Sequence, residues 1–380
     1  MNLSEVKTPA YIIDEKKLAL NCKLLSEVMK KADCKILLAQ KAFSTFYEYP
    51  LIGKYLSGTT ASGLYEARLG KEEMGLENHC FAPAYKEEDL KEIVEICDHV
   101  IFNSISQLNK HRKIWEGKTS VGLRINPEIS TQEGHEIYDP CAKGSRLGVT
   151  LKNLEKALSE DEHCLDGVEG LHFHTLCEQN SDDLKTTVDV VFEKFGKYIL
   201  GMKWLNMGGG HHITREDYDI DLLVNIIRET KEKFNLEVYL EPGEAIALNA
   251  GYLVTEVMDI VDNDMEILIL DASAACHMPD VLEMPYRPPL KDSGPSGELK
   301  YTYRLSSMTC LSGDVIGDYS FERKINVSDR LVFEDMAIYS MVKNNTFNGM
   351  PLPSIYGMDE NGDCHLIKEF SYSDFKGRLS

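Results

Sequence analysis

Between residues 35 and 241, short apolar runs alternate with stretches of helical period, and this alternation constrains the fold more than any other feature. The runs fall at residues 35–43, 59–62, 79–83, 99–102, 121–127, 168–175, 204–207 and 238–241. Helical stretches between them include residues 64–74, 87–97, 151–158, 182–198 and 218–234. Alternating strands and helices imply a parallel sheet, and eight such steps predict a (β/α)8 barrel over residues 15–248. A doubly wound open sheet is the alternative, and no GxGxxG follows the first strand to support it. Ahead of the barrel, residues 8–14 read as a strand. Residues 15–33 read as a helix with Leu18, Cys22, Leu25 and Met29 on one face.

After Gly243 the texture changes. Strand-like runs at residues 254–257, 266–270, 299–305, 330–333 and 365–368 surround a Pro/Gly/Ser-rich stretch at 285–297. They predict an all-β domain of residues 249–380, joined by residues 1–14. The formal charge of −21 disfavours nucleic acid as a partner and suits a cationic small molecule. No apolar run reaches the length of a membrane span, and the first residues lack a signal peptide. Ten cysteines without a CxxC pair fit reduced thiols, so a cytoplasmic protein is expected.

In a barrel, chemistry gathers at the C-terminal ends of the strands. Lys41 falls at the end of the first. Arg124 and Asn126 end the fifth, His172 and His174 lie on the sixth, Gly208-Gly209-Gly210 follows the seventh, and Glu241-Pro242-Gly243-Glu244 ends the eighth. A lysine at a strand mouth either snorkels or serves as a Schiff-base amine. Three glycines at a strand-to-helix turn either form a tight turn or bring backbone N–H groups to an anion. His172, His174, His211, His212 and His277 leave a metal-dependent hydrolase open as a reading of another class.

Lys41 in Gln-Lys-Ala, the Gly-Leu-His-Phe-His segment, the glycine triplet and Glu-Pro-Gly together resemble the alanine racemase fold of pyridoxal phosphate (PLP) enzymes. The order matches its ornithine and diaminopimelate decarboxylase branch. Met308-Thr309-Cys310-Leu311-Ser312-Gly313-Asp314 resembles that branch's cysteine loop, and Tyr339 with Thr346-Phe347-Asn348-Gly349 resembles its tyrosine segment. Lys-Ala-Phe, Glu-Pro-Gly-Glu, and Asp271-Ala272-Ser273 leading to His277-Met278-Pro279-Asp280 are similar to the subfamily that decarboxylates carboxynorspermidine and carboxyspermidine. The likeness runs from about Thr8 to Tyr356.

The resemblance implies PLP as cofactor and no metal. Lys41 is then the Schiff-base lysine, and His174 lies against the cofactor ring. Gly208, Gly209, Gly210 and Tyr339 hold the phosphate. Glu241 meets the ring nitrogen, where a carboxylate favours decarboxylation over racemisation. Cys310 is the implied proton donor, delivered across a homodimer interface. Asp314 serves substrate and pairs with Arg146 of the neighbouring subunit. Glu244 and Asp280 receive ammonium groups of a carboxylated polyamine. Three departures matter: Glu244 replaces an arginine, Leu311 an acid, and Cys177 a phosphate-binding serine. Leu311 counts against ornithine and diaminopimelate, although a diamino-acid decarboxylase remains the alternative within the class.

Overall fold

A computed structural model describes residues 1–132 and 139–380; part of the stretch between the run at 121–127 and the helix near 151–158 lies outside the described residues. The chain forms two compact units, one of Asn21–Ile246 and one of Met1–Leu20 with Ala247–Ser380.

Eight parallel strands build the first unit: Lys35–Ala39, Gly58–Ala61, Glu77–Phe81, His99–Phe102, Ser120–Asn126, Val168–His172, Trp204–Asn206 and Glu237–Leu240. Each pairs with the next, and the eighth pairs with the first, so the barrel is closed. Strands flanked by helices are covered on both sides, which is why they are short runs of buried residues rather than alternating ones. Even Gly58–Ala61, weak by composition, is buried throughout.

One end of the barrel interior is filled. Trp204 packs so tightly on the strands beside it that a Cβ at Gly122 or Gly170 would fall 2.2 or 2.0 Å from its ring. His99 stacks on Trp204 with centroids 4.6 Å apart, and His79 stacks on His99 at 4.1 Å. Glu77 takes bonds from Lys35 (2.9 Å), Tyr239 (2.7 Å) and His79 (3.0 Å). Burial works against its charge, but these donors prevail and hold the carboxyl well below the usual range.

The second unit is a nine-stranded mixed sheet. Its centre is Gly251–Asp262, which pairs antiparallel with Ala10–Asp14, Glu266–Leu270 and Arg330–Glu334. The N-terminal strand thus lies inside this sheet, flanked on its other side by Ser354–Met358. The expected strand at residues 254–257 is the middle of a twelve-residue one. Besides the two-residue Gly294–Pro295, two strands, Val315–Phe321 and Ser354–Met358, escaped the sequence reading. Gly317-Asp318 interrupts the apolar pattern of the first, and Pro351 and Pro353 crowd the start of the second.

Candidate active site

The opposite end of the barrel, where the strands finish, holds a cavity of about 240 Å³. Lys41, Arg124, Arg146, His172, His174 and Glu241 contribute to its wall, so Lys41, His174 and Glu241 are brought together. Lys41 stands two residues past the first strand, in a turn. Solvent reaches its side chain, yet protein encloses it enough that desolvation lowers its pKa; Glu241 opposes the shift and Arg124 adds to it. The uncharged amine is the form that attacks a carbonyl.

Glu241 is buried, with both oxygens held. Asn206 donates its amide N–H to Oε1 at 2.7 Å, and His172 Nε2 lies 3.3 Å from Oε2. Burial would raise the carboxyl's pKa, but the bonds from His172 and Asn206 outweigh it and bring it to about 2. Burial also holds His172 neutral, so at neutral pH the contact is an imidazole N–H to a carboxylate. His172 therefore has a defined place, stacked on Phe81 with centroids 5.4 Å apart. Asn206, which the sequence reading did not single out, joins Glu241 because three consecutive strand ends bring His172, Asn206 and Glu241 side by side.

His174 is half-buried, and its Nδ1 accepts the Gly209 N–H at 2.9 Å. Burial, with Lys41 and Arg124 nearby, keeps the ring neutral, leaving the proton on Nε2. Arg124 donates to the His174 carbonyl at 3.1 Å and lies 4.7 Å over the Phe81 ring.

The glycine triplet does not line this cavity. A Cβ at Gly208, Gly209 or Gly210 would sit 2.4, 2.4 or 2.0 Å from a backbone oxygen, so close packing alone requires all three. Their N–H groups are also partly committed: Gly208 donates to Asn206 Oδ1 at 2.8 Å and Gly209 to His174. The Gly210 N–H is the one of the three that these bonds do not use. Cys177 is half-buried, and burial pushes its thiol up to about 12. Glu244 begins the short helix Glu244–Ala247 and does not line the cavity.

In the second unit, Cys310 is the one exposed cysteine of the ten, all of which are free thiols. Its backbone N–H donates to Asn348 Oδ1 at 2.6 Å, which ties the cysteine loop to the Thr346–Gly349 segment. Asp280 is engaged by Lys343, whose ammonium also meets Glu283 at 2.7 Å. Tyr339 is held at φ 51°, a left-handed conformation costly for an aromatic residue.

Asp314 is enclosed by donors of its own unit. It is 1% exposed, and its oxygens accept the hydroxyls of Ser273 (2.6 Å), Ser307 (2.6 Å) and Thr309 (2.5 Å) and the N–H groups of Ala274 (2.9 Å) and Ala275 (3.2 Å). Within this chain, five donors occupy the lone pairs of its carboxylate. Asp314 organises the cysteine loop, and Arg146 lines the barrel cavity.

Two of the candidate histidines are held by backbone groups. His211 bonds the Met207 carbonyl, and His277 lies between the Ser273 N–H and the Pro351 carbonyl. Among the described residues, Glu77, His79 and His99 come within metal-ligand spacing. The two rings are stacked, however, and face-to-face imidazoles cannot aim their in-plane lone pairs at one ion.

The sequence model of the family described as "Pyridoxal-dependent decarboxylase, C-terminal sheet domain" matches residues 10–337. The chain belongs to the pyridoxal-dependent decarboxylases. One relative of this family, the carboxynorspermidine/carboxyspermidine decarboxylase of Campylobacter jejuni, is 42% identical over the full length of both chains. The carboxyaminopropylagmatine decarboxylase of Synechocystis is 38% identical over 99% of this chain and 96% of its own. The solved carboxynorspermidine decarboxylase of C. jejuni complexed with norspermidine superposes with a TM-score of 0.90 at 41% identity, over 98% of this chain and all of the other. The decarboxylase fold extends further: diaminopimelate decarboxylase of Helicobacter pylori shares it at a TM-score of 0.85 and 17% identity, over 99% of this chain and 98% of its own.

The donor set fits the family's cofactor. An aldehyde needs an amine with a lowered pKa, a pyridine nitrogen needs a carboxylate that stays ionised, and a flat ring needs a flat neighbour. Lys41, Glu241 and His174 offer these around one cavity. Among the described residues, no helix is long and apolar enough to cross a membrane.

Proposed function

We propose that this decarboxylase removes carbon dioxide from carboxynorspermidine and carboxyspermidine, giving the corresponding triamines in polyamine biosynthesis. The observation that carries the chemistry is Glu241, clamped in ionised form by Asn206 and His172 on the wall that also carries Lys41. The substrate rests on the relative named for both compounds at 42% identity and on the norspermidine complex of the solved relative.

In this reading Lys41 binds pyridoxal phosphate covalently, Glu241 holds a proton at the ring nitrogen, and His174 covers the ring face. When bound, the cofactor supplies the electron sink for the pair left behind by carbon dioxide. Gly210 and Tyr339 hold the phosphate; the conformation of Tyr339 supports a functional constraint there. Cys310 returns a proton to the substrate carbon, and its open thiol supports that role. Asp280 and Glu244 receive substrate ammonium groups, and Asp280 already holds one ammonium, that of Lys343. The working form is a homodimer in which Cys310 serves the neighbouring subunit. Met308, Leu311 and Phe347, exposed apolar side chains on the cysteine loop and the segment tied to it, support such an interface. Ten free thiols support a cytoplasmic setting.

The Synechocystis relative favours a second substrate, carboxyaminopropylagmatine, whose guanidine end replaces an amine. The test is carbon dioxide release by the PLP-loaded protein on carboxynorspermidine, carboxyspermidine, carboxyaminopropylagmatine, diaminopimelate and ornithine, alongside Lys41→Ala. Turnover of the two carboxylated triamines, lost in the variant, is the expected result. Preference for the agmatine derivative or for diaminopimelate overturns the substrate assignment and leaves the chemistry standing. Turnover that survives in Lys41→Ala overturns the role of Lys41.

A further inference from the structure

We propose that Asn206 is a positioning residue that couples the two ends of the cofactor site, the carboxylate Glu241 and the glycine turn. This rests on the reading that Glu241 meets the ring nitrogen and the turn meets the phosphate.

Two hydrogen bonds fix how the Asn206 amide is turned. Asn206 is fully buried at the end of the seventh barrel strand. The Gly208 N–H lies 2.8 Å from its side chain, and a backbone N–H can only donate, so the amide oxygen must face it. That fixes the amide's orientation: the NH2 group faces Glu241 Oε1, at 2.7 Å. One planar amide therefore reads both neighbours, an acceptor toward the turn and a donor toward the carboxylate. Its donor end requires that Glu241 Oε1 accept, which favours the ionised form.

The turn is tied back to Glu241 a second time, because the Glu241 N–H donates to the Gly208 carbonyl at 2.7 Å. Gly209, the next residue, donates to His174. A shift of the Asn206 amide therefore moves the carboxylate and the turn together, and the ring-facing histidine through Gly209. The side chain itself does not line the cavity, so it acts through these groups and does not touch the cofactor.

Asn206→Asp tests this with almost no change in shape. The new carboxylate still accepts the Gly208 N–H, but its other oxygen faces Glu241 Oε1, and two carboxylates that close must share a proton. The expected result is a PLP dissociation constant raised roughly tenfold or more, the scale of losing a hydrogen bond to a charged group. The pH dependence of the bound cofactor's absorption should move upward as well. In a Glu241→Gln background the same change should cost nothing in PLP affinity or thermal stability, because the glutamine amide can donate to the new carboxylate. Loss of the same size in both backgrounds, or Asn206→Asp indistinguishable from wild type, overturns the coupling. If Asn206→Asp fails to fold, folding of the double variant supports the proposal and its failure overturns it. The underlying reading fails separately: Glu241→Gln alone with unchanged PLP affinity and absorption removes Glu241 from the ring nitrogen.

Discussion

Gly209→Ala is the sharpest steric test of the site. Gly209 does not adopt a positive φ, so alanine brings no backbone strain of its own, and the whole effect is contact. The added Cβ would sit 2.4 Å from the Glu241 carbonyl oxygen and 3.1 Å from His174 Cε1. Ordinary contact begins at 3.4 Å, so Glu241 and the turn must separate by about 1 Å. The carbonyl is backbone and cannot rotate away as a side chain would. Overpacking of this kind costs roughly 1–3 kcal/mol of stability. The displacement falls on the carboxylate and the imidazole at once, and 1 Å of misplacement lowers turnover by about 100-fold. Urea denaturation and steady-state decarboxylation, measured on the same preparation, give both numbers. Gly196→Ala is the control: its Cβ meets only Phe234, at 3.9 Å, in the helix Ser181–Ile199. It should gain about 0.5–1 kcal/mol and keep full activity. A Gly209→Ala protein that folds with wild-type stability and turns over within threefold of wild type would refute the close-packed account of the turn.

Asp314→Ala should lower stability by about 3 kcal/mol or more in urea, because three hydroxyls and two amides lose a charged acceptor, while Arg146→Ala should leave stability unchanged. An alkylating reagent at limiting dose should label Cys310 ahead of the other nine cysteines, read by peptide mass spectrometry, with loss of activity tracking that label. Stability should fall on acidification in two windows, read as the urea midpoint against pH. Burial depresses His211 and His277 to about 4, so their contribution is complete above pH 6.5 and is lost as pH drops from there toward 4. Glu241, lowered from 4.5 to about 2, contributes fully above pH 4.5 and fades between those values. A midpoint flat from pH 7 to 4 would contradict the burial of these groups.

The barrel was legible because each strand is buried on both sides, leaving a short apolar run between helices wherever it occurs. Lys41, His174 and Glu241 were legible for a related reason: they stand at strand ends, and a strand end is visible in one dimension. Asn206 was not, since its importance lies in who its neighbours are once the barrel closes. His172, Asn206 and Glu241 are tens of residues apart in sequence, and only adjacent strands make them partners. The surroundings of Asp314 were not legible for the same reason. The family resemblance implied a partner in another subunit; within this chain its donors come from Ser273, Ser307, Thr309 and two backbone amides. In the second unit Val315–Phe321 stayed hidden because Gly317 and Asp318 break the pattern that a strand is recognised by.

Trp204 and its two glycines impose a direction on how this sequence can change over generations. Alanine at Gly122 or Gly170 has no room while the indole stands, so neither position can drift first. Trp204 can shrink first, at the cost of a cavity, and that vacancy would then admit a methyl group at either glycine. Once a glycine had gained a side chain, the indole could not return until that glycine was restored. Lineages of this barrel would therefore leave the indole-and-glycine floor by way of the tryptophan and come back only by way of the glycines.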